Sequence, residues 1–435
     1  MDAARDPNAP TRARFGVLYF GIAIAIIQYI DRVCISWSMD DIRAAFKISG
    51  HEHDDAAGWV FSAFTIAYAL FEMPTGWLGD RFGPRKTLVR VVLWWSLFTA
   101  ATGLAWGLGS LIVVRFLFGM GEAGCFPNLT RAFATWLRPE EKSRGQSILW
   151  LWARWGGALT PLLVAGVLAV VSWRISFAIF ASLGVLWAVF FFRWFRDEPR
   201  EHPAVNQAER ALLAGNPPVA RHDAVPWGRF LASPTTWLLW AQYFFFSYCW
   251  YFYVTWLPKF LKSTYGGTYG KVVLAMLAGV PLFAGGFGNL LSGRLMPVLE
   301  KRFGNLRTAR RLLGGFGFLL AAIVFLFPAH FMDQPLAVMA ALGLASFFGD
   351  LSMPASWGAC MDVGGKFSGT YSGSMNMMGN LGGATGPLVV GYLLKATHQN
   401  WAMVFNLSAG AFFLGALCWL FIDPVTPLAP AGEKR

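Results

Sequence analysis

The sequence predicts an all-α integral membrane protein with twelve transmembrane helices in two pseudo-symmetric halves of six. Three observations lead to this prediction. Hydrophobic residues make up 56% of the 435 positions and charged residues only 14%, whereas a soluble chain carries about 25% charged residues. Apolar runs of about 20 residues, long enough to cross a bilayer, occur twelve times. A polar stretch separates six runs from six, and short motifs repeat on either side of it.

The apolar runs set the expected order of the helices. The first continues through Asp31-Arg32 without a small-residue cleavage site, so we expect it to be retained rather than removed as a signal. The predicted spans cover roughly residues 16–38, 56–79, 87–108, 110–134, 145–171, 174–195, 235–261, 271–297, 310–330, 335–361, 367–394 and 400–422.

The positive charges predict the orientation. Of the 36 Lys and Arg, 26 fall in the termini, in the even-to-odd loops and at the adjoining helix ends, and seven fall on the other side. Cytoplasmic loops of membrane proteins carry this excess, so we expect both termini in the cytoplasm and a bacterial-type inner membrane around the chain. The same placement explains the net charge of +12 without nucleic acid as a partner.

The polar stretch and the repeats predict the domain organisation. We expect an N-terminal half at 1–195, a cytoplasmic linker at 196–234, a C-terminal half at 235–423 and a tail at 424–435. The pattern GGAxxP occurs at 156–161 and again at 382–387, an offset of 226 residues, and Arg-Phe-Gly follows both span two and span eight. Two parallel repeats are typical of transporters with a site between the halves near the bilayer midplane.

Two charges in the fourth span suggest the first functional site. Arg115 and Glu122 are seven residues apart, about two helical turns, and therefore share one face. Each charge at mid-bilayer costs roughly 2.5–3.5 kcal/mol, so both should face a partner, a cavity or a substrate. A fixed cation beside a titratable acid indicates an anion site coupled to a proton.

The loop after span two carries the sharpest motif, GWLGDRFGPRK at 76–86. Asp80, at a helix end, can accept hydrogen bonds from a facing helix N-terminus or pair with a loop Arg. With the twelve spans, the linker and the repeat, this motif closely resembles the signature of the major facilitator superfamily. The resemblance implies a gating motif that locks one state, with Asp80 paired to Arg144. The expected gating residues are Gly76, Asp80, Arg81, Gly83, Arg85, Lys86 and Arg144.

Within that superfamily the chain resembles the anion:cation symporters, whose bacterial members take up sugar acids such as galactonate, hexuronates and glucarate. The residues that carry the resemblance are Tyr29-Ile30-Asp31-Arg32, Tyr68, Arg115 with Gly119-Met120-Gly121-Glu122-Ala123, and Asn376 with Asn380-Leu381-Gly382-Gly383. It implies that Asp31 and Glu122 carry protons, that Arg32 contacts the substrate carboxylate and that Arg115 pairs with Asp31. A static role for Asp31–Arg115 and Arg32–Glu122 salt bridges is the alternative.

Further candidates line the other predicted spans. Tyr68 could donate to a sugar hydroxyl or carboxylate, and Glu72, one turn on, is either a third titratable group or an anchor between helices. Arg154 lies among three Trp in the sequence. Two roles are open for it: a cation–π contact with these rings, or an additional contact with the substrate anion that favours a dicarboxylate or uronate. We expect the remaining substrate contacts in the second half, at Ser356, Trp357, Asn376 and Asn380.

These observations favour proton-coupled symport of an organic anion such as a hexuronate, aldonate or glucarate, by a functional monomer. Sodium could replace the proton. An exchanger or efflux carrier and a non-transporting membrane sensor remain the alternatives. The chain has no GxxxxGK[ST] loop for a nucleotide phosphate and no catalytic constellation or metal-ligand spacing, so we expect neither an enzyme nor a bound cofactor or metal.

Overall fold

The structure is a computed structural model that describes residues 9–47, 54–217 and 223–428, and helices dominate these ranges. The α-helices are α1 (Gly16–Trp37), α2 (Met39–Ala45), α3 (Asp54–Phe82), α4 (Pro84–Gly103), α5 (Leu108–Glu122), α6 (Cys125–Trp136), α7 (Pro139–Leu168), α8 (Trp173–Trp194), α9 (Gln207–Leu213), α10 (Trp227–Ala232), α11 (Pro234–Thr255), α12 (Leu257–Tyr265), α13 (Lys271–Phe303), α14 (Leu306–Phe325), α15 (Pro335–Asp350), α16 (Met353–Gly364), α17 (Ser368–Ala396) and α18 (Trp401–Phe421).

The twelve predicted spans correspond in order to α1, α3, α4, α5 with α6, α7, α8, α11, α13, α14, α15 with α16, α17 and α18. Eight stretches of the described chain are long and apolar enough to cross a membrane by length and composition, and one of them, Pro335–Ala396, contains two of these spans. The spans α3, α4 and α11 fall short by that measure. The first two carry charges, and α11 is rich in Trp and Tyr, which score as weakly polar.

The fourth and tenth spans are each broken near the middle. Between α5 and α6, Gly124 adopts φ +86°, a left-handed conformation that glycine adopts without a steric penalty. Between α15 and α16, the helix is interrupted at Leu351 and Ser352, just before Pro354. The breaks fall at the same place in the two halves. Interrupted helices at corresponding positions of two repeats mark the binding region of many transporters.

Both ends of the described chain lie on one face of the bundle, which we call the terminal face. Arg14, before α1, pairs with Glu141 at the start of α7 (3.0 Å), and the Leu428 amide donates to a carbonyl at the end of α16 (2.8 Å). Beside these contacts, Lys142 pairs with Asp362 (2.9 Å). An even number of spans brings the two ends together in this way.

The two halves approach closely along α3 and α17 on the side of the terminal face. A methyl group at Gly76 would lie 2.3 Å from the Gly369 carbonyl oxygen, and one at Gly373 would lie 2.9 Å from the Glu72 carbonyl oxygen. Small residues allow helices to pack backbone to backbone where lipid provides little hydrophobic drive for association. Glycine at these positions therefore determines how tightly the halves close.

Replacing Gly76 with Ala is expected to separate the halves on the terminal face. The added methyl group meets backbone, which cannot rotate away, and overpacking of this kind costs about 1–3 kcal/mol. Pulsed EPR between labels at positions 140 and 302, which are exposed on opposite halves, should show a larger population at long distance. Gly410→Ala is the matched control, because its methyl group would meet open space. An unchanged distance distribution in Gly76→Ala would contradict this role.

Candidate functional site

A polar pocket lies between the two halves near the middle of the bundle. Its walls come from α1, α3, α6 and α7 of the first half and from α11, α16 and α17 of the second. The lining residues are Tyr29, Arg32, Tyr68, Phe126, Trp150, Arg154, Tyr243, Phe246, Ser247, Trp250, Tyr251, Met353, Asn376 and Asn380. Five residues predicted as substrate contacts, Arg32, Tyr68, Arg154, Asn376 and Asn380, are brought together here.

Arg32, on α1, is one of two cations of the first half that line this pocket. Its Nε donates to Glu122 Oε1, and its guanidinium lies 4.5 Å from the ring centre of Tyr68 and 5.3 Å from that of Phe64. Glu122 is fully buried, whereas about 24% of the Arg32 side chain is exposed. The pair thus presents a cation to the pocket and keeps its counter-ion behind it.

Asp31 and Arg115 are buried beside this pair but not bonded to each other. Neither carboxylate oxygen of Asp31 has a hydrogen-bond partner among the described residues; its carboxylate faces the indole of Trp95. The Arg115 guanidinium instead packs against Phe118 (4.4 Å) and Phe64 (5.1 Å). The expected Asp31–Arg115 ion pair is therefore absent from this state, because aromatic rings hold the guanidinium. The proton-coupling roles of Asp31, Glu122 and Arg115 stay predictions.

Glu72 connects the halves directly beneath the pocket. It accepts hydrogen bonds from the side-chain amides of Asn376 and Asn380, the latter at 2.7 Å. The Tyr251 hydroxyl donates a hydrogen bond to the side-chain oxygen of Asn380 (3.3 Å). In this state the two amides predicted as substrate contacts are thus engaged by an internal carboxylate. Glu72 acts here as an anchor between the halves, one of the two roles that the sequence left open.

Arg154 forms an ion pair across the halves. Its Nη2 and Nε donate to the carboxylate of Asp350 at 2.8 and 3.1 Å, and its guanidinium lies 4.7 Å from the ring centre of Trp250. Both partners are almost completely buried. The sequence predicted the aromatic surroundings of Arg154 but not its acidic partner, which lies 196 residues away.

Ser356 and Trp357 are displaced from their predicted role. Ser356 donates to Gln242 (3.2 Å) and Trp357 donates to the Tyr243 hydroxyl (3.2 Å). Both side chains are fully buried and lie outside the pocket lining. The break before α16 turns them into the packing of the second half, so their prediction as substrate contacts does not hold in this state.

The predicted gating motif contacts the second half through Asp80. Its carboxylate accepts hydrogen bonds from the backbone amides of Gly369 and Thr370, at 3.0 and 2.6 Å, and from the Thr370 hydroxyl at 2.7 Å. An anion at a helix N-terminus is stabilised by the free amides and the helix dipole. Asp80 of the first half thereby caps α17 of the second.

The cation beside Asp80 is Arg131, not Arg144. The Arg131 Nε lies 3.5 Å from Asp80 Oδ1, whereas the α-carbon of Arg144 lies beside Gly293 on α13. The expected Asp80–Arg144 pair is therefore wrong for this state. Asp80 contacts α6 and α17, whereas Arg144 lies against α13.

The remaining motif residues shape the turn from α3 to α4. Gly83 has φ +87°, and a methyl group there would collide with Asp197, whose carboxylate accepts from the Arg85 amide (2.8 Å). Arg81 stacks on Trp77 (5.1 Å), and Lys86 is exposed. These residues hold the loop in the first half rather than bridging the halves.

Replacing Asp80 with Asn is expected to open the terminal face. Asn keeps the shape of Asp80 but removes its charge, and a charge that accepts hydrogen bonds at a buried helix N-terminus stabilises the contact by about 1–2 kcal/mol more than a neutral amide does. The ratio of closed to open molecules should fall roughly five- to thirtyfold. Pulsed EPR between labels at 140 and 302 measures this ratio. Asp423→Asn serves as the control, because Asp423 pairs with Arg307 inside the second half (2.8 Å); equal shifts in both variants would contradict the proposed latch.

A second charged contact between the halves on the terminal face was missed by the sequence reasoning. Asp362, at the end of α16, accepts from Lys142 of the first half (2.9 Å) and pairs with Arg310 on α14 (2.7 Å). Arg310 also donates to the Pro424 carbonyl in the tail (2.6 Å). Single charges at helix ends carry no periodic signal, so only the packing of the halves brings them together.

Two six-helix halves around a charged pocket, each half with a helix broken at the same point, define a membrane transporter built from two repeats. The chain belongs to the major facilitator superfamily, whose family model matches residues 21–387 and 310–435. The fold expected from the sequence and the expectation of a transporter rather than an enzyme are thereby confirmed.

Named relatives and solved structures agree with this assignment. The chain is 35% identical over 416 residues to the probable sulfoacetate transporter SauU of Cupriavidus necator, covering 94% of each chain. It is 30% identical over 436 residues to the D-galactonate transporter of Escherichia coli, covering 97% of this chain and 98% of that one. The proton:xylose symporter XylE shares the fold with a TM-score of 0.75 at 12% identity, over 95% and 97% of the two chains.

Proposed function

We propose that this protein is a proton-coupled symporter that takes up a small organic anion by alternating access. In this proposal both termini face the cytoplasm of a bacterial-type inner membrane, so that the closed terminal face is the inner gate. The bias of Lys and Arg toward the terminal side supports that orientation. The described state is then outward-facing, with Asp80 and Asp362 holding the inner gate closed.

The observation that carries the proposal is the buried Arg32–Glu122 pair at the pocket wall. Arg32 offers a permanent charge and a planar fork suited to a carboxylate or sulfonate. Glu122, fully buried behind it, is stable as an anion only while Arg32 compensates it, since an unpaired buried charge is expensive.

Anion and proton therefore bind as a pair. When the substrate anion takes Arg32, Glu122 loses its counter-ion and takes a proton, and the loaded site stays close to neutral. Without the substrate, a protonated Glu122 would leave Arg32 unpaired. This mutual dependence is a coupling free energy between the two ligands, and it is what symport requires.

Binding of the substrate anion also weakens the inner gate. Glu72 occupies Asn376 and Asn380, so a hydroxyl or carboxylate of the substrate that reaches these amides would compete with the Glu72 bridge. Weakening that bridge loosens α3 from α17 next to the Asp80 cap. Binding at the pocket is thereby linked to release of the inner gate.

The shared chemistry of the named relatives supports the proposed substrate class. Sulfoacetate, galactonate and galactarate or D-glucarate are the substrates in the names of similar transporters, and each carries a carboxylate or a sulfonate. A small anion of this kind fits a pocket that combines Arg32 with Tyr68 and two amides. Exchange or efflux of another small molecule and a non-transporting sensor are tested by the same experiment.

The test is uptake by purified protein in proteoliposomes. A panel of galactonate, glucuronate, glucarate and sulfoacetate is offered with an imposed pH gradient, a sodium gradient or none. The proposal predicts accumulation of at least one acid that depends on the pH gradient and not on sodium. Uptake driven by sodium alone would assign a different coupling ion, and no uptake of any acid would overturn the proposal.

A further inference from the structure

Two Arg–acid pairs stand at the two broken helices, and their acids occupy equivalent positions in the two halves. Glu122 is the last residue of α5 and pairs with Arg32, and Asp350 is the last residue of α15 and pairs with Arg154. Glu122 and Asp350 are 228 residues apart, close to the 226-residue offset of the GGAxxP repeat. Both arginines line the pocket. The pocket therefore has two cations, each with a buried acid behind it.

The Arg154 guanidinium has the geometry of an anion-binding site, and in this state the carboxylate of Asp350 occupies it. The guanidinium uses two nitrogens on the Asp350 carboxylate, the forked geometry with which arginine binds carboxylates. Its other contacts are aromatic, with Trp250 at 4.7 Å and with Trp150 and Phe246 at 5.9 Å each. Asp350 is thus its only ionic partner among the described residues.

The surroundings of Asp350 are otherwise neutral. Tyr253 faces it from α11, Ser346 lies one turn earlier on α15, and Gly285 of α13 packs against its carboxylate. The Ser346 hydroxyl has no hydrogen-bond partner among the described residues. If Arg154 turned to another anion, no second cation among the described residues would compensate Asp350.

We propose that Arg154 is a second anion-binding residue of the transport site and that it selects substrates with two acidic groups. This inference rests on the proposed function of anion transport. One acidic group of the substrate binds Arg32 and the other replaces Asp350 at Arg154. The substrate class is then a small dianion, such as a dicarboxylate or a sulfocarboxylate.

A substrate with a single acidic group cannot bind both Arg32 and Arg154. It can compensate Arg32, but Arg154 then stays with Asp350 and contributes nothing to binding. A dianion gains a second charge-assisted, forked contact, and contacts of this kind are among the stronger hydrogen bonds in proteins. Selectivity for the dianion therefore depends on Arg154, while Asp350 opposes it as an internal competitor.

The experiment uses two acids that differ in one terminal carboxylate, glucarate and gluconate. The full-length purified protein is assayed for binding in detergent and for pH-driven uptake in proteoliposomes. The wild type should prefer glucarate by about tenfold or more. Arg154→Gln should reduce that preference at least tenfold, whereas Asp350→Asn, which removes the competitor, should keep it or strengthen glucarate binding.

Opposite signs distinguish this site from a purely mechanical bridge. A bridge between the halves predicts that Arg154→Gln and Asp350→Asn change both acids in the same direction and by the same factor, which would overturn the inference. So would an unchanged glucarate preference in Arg154→Gln, or a wild type that prefers gluconate.

The inference can be tested even if one of the single variants does not fold. If a single variant fails to fold, Arg154→Gln combined with Asp350→Asn removes both charges and keeps the shape. That double variant should still take up gluconate and lose the preference for glucarate; equal losses for both acids would overturn the inference. Failure of the wild type to move either acid would instead overturn the proposed function.

Discussion

Glu122→Gln is expected to abolish accumulation of the substrate against its gradient while sparing exchange. Gln keeps the shape of Glu122 and can still accept a hydrogen bond from Arg32, but it cannot carry a proton. A pH difference of one unit is worth about 1.4 kcal/mol, which supports about tenfold accumulation at one proton per anion. In the variant the ratio should fall to about 1, and counterflow of labelled against unlabelled anion should persist.

The control for this prediction is Glu140→Gln, the same chemical change at an exposed site on the terminal face. It should accumulate substrate as the wild type does. Continued pH-driven accumulation by Glu122→Gln would contradict the assignment and would direct attention to Asp31 and Glu72, two further buried acids of the first half.

Arg32→Gln is expected to remove most of the binding affinity for the anion. The change deletes one of the two cations that line the pocket and leaves Glu122 buried without its partner. Truncating one member of a buried charge pair costs about 2–5 kcal/mol, which corresponds to a fall in affinity of roughly thirtyfold or more. Binding measured by isothermal titration calorimetry on purified protein provides the readout.

Two further variants separate charge from geometry. Arg32→Lys keeps the charge but loses the fork, so its affinity should lie between those of the wild type and Arg32→Gln. Arg302→Gln, at an exposed position of the terminal face, should bind the anion as the wild type does. An Arg32→Gln variant with unchanged affinity would remove Arg32 from the binding site.

The architecture could be predicted because it depends on patterns within short stretches of sequence. Apolar length and charge placement give the twelve spans, and the repeated GGAxxP motif gives the two halves. The breaks in the fourth and tenth spans were harder to see. Gly124 is one glycine among many, and only its φ of +86° shows that it ends a helix. In the tenth span the interruption falls just before Pro354, a residue type that breaks helices.

The site was predictable only as far as each residue's own helix determines it. Arg32 and Glu122 were recognised from motifs, and the salt bridge between them is the contact that the sequence left as an alternative. The contacts Glu72–Asn376 and Arg154–Asp350 join residues 304 and 196 positions apart, and no periodicity connects such partners. Ser356 and Trp357 show the converse: a polar or aromatic residue in the right span faces the packing once the helix break rotates it.

The cation beside Asp80 in the predicted gating motif could not be predicted for the same reason. The sequence indicated that Asp80 could cap a facing helix, and it does so at the N-terminus of α17. Which cation lies beside it depends on how α6 and α7 pack around α3, so Arg131 stands where Arg144 was expected.

The most direct test of the account measures proton and anion movement together. Proteoliposomes that contain a pH-sensitive dye, with the membrane potential clamped, receive glucarate, galactonate or sulfoacetate on the outside. The account predicts that the lumen acidifies in step with entry of the transported acid and that Glu122→Gln abolishes this acidification. Entry of the acid without proton movement, or only in the presence of sodium, would contradict the central claim that Glu122 links a proton to the anion at Arg32.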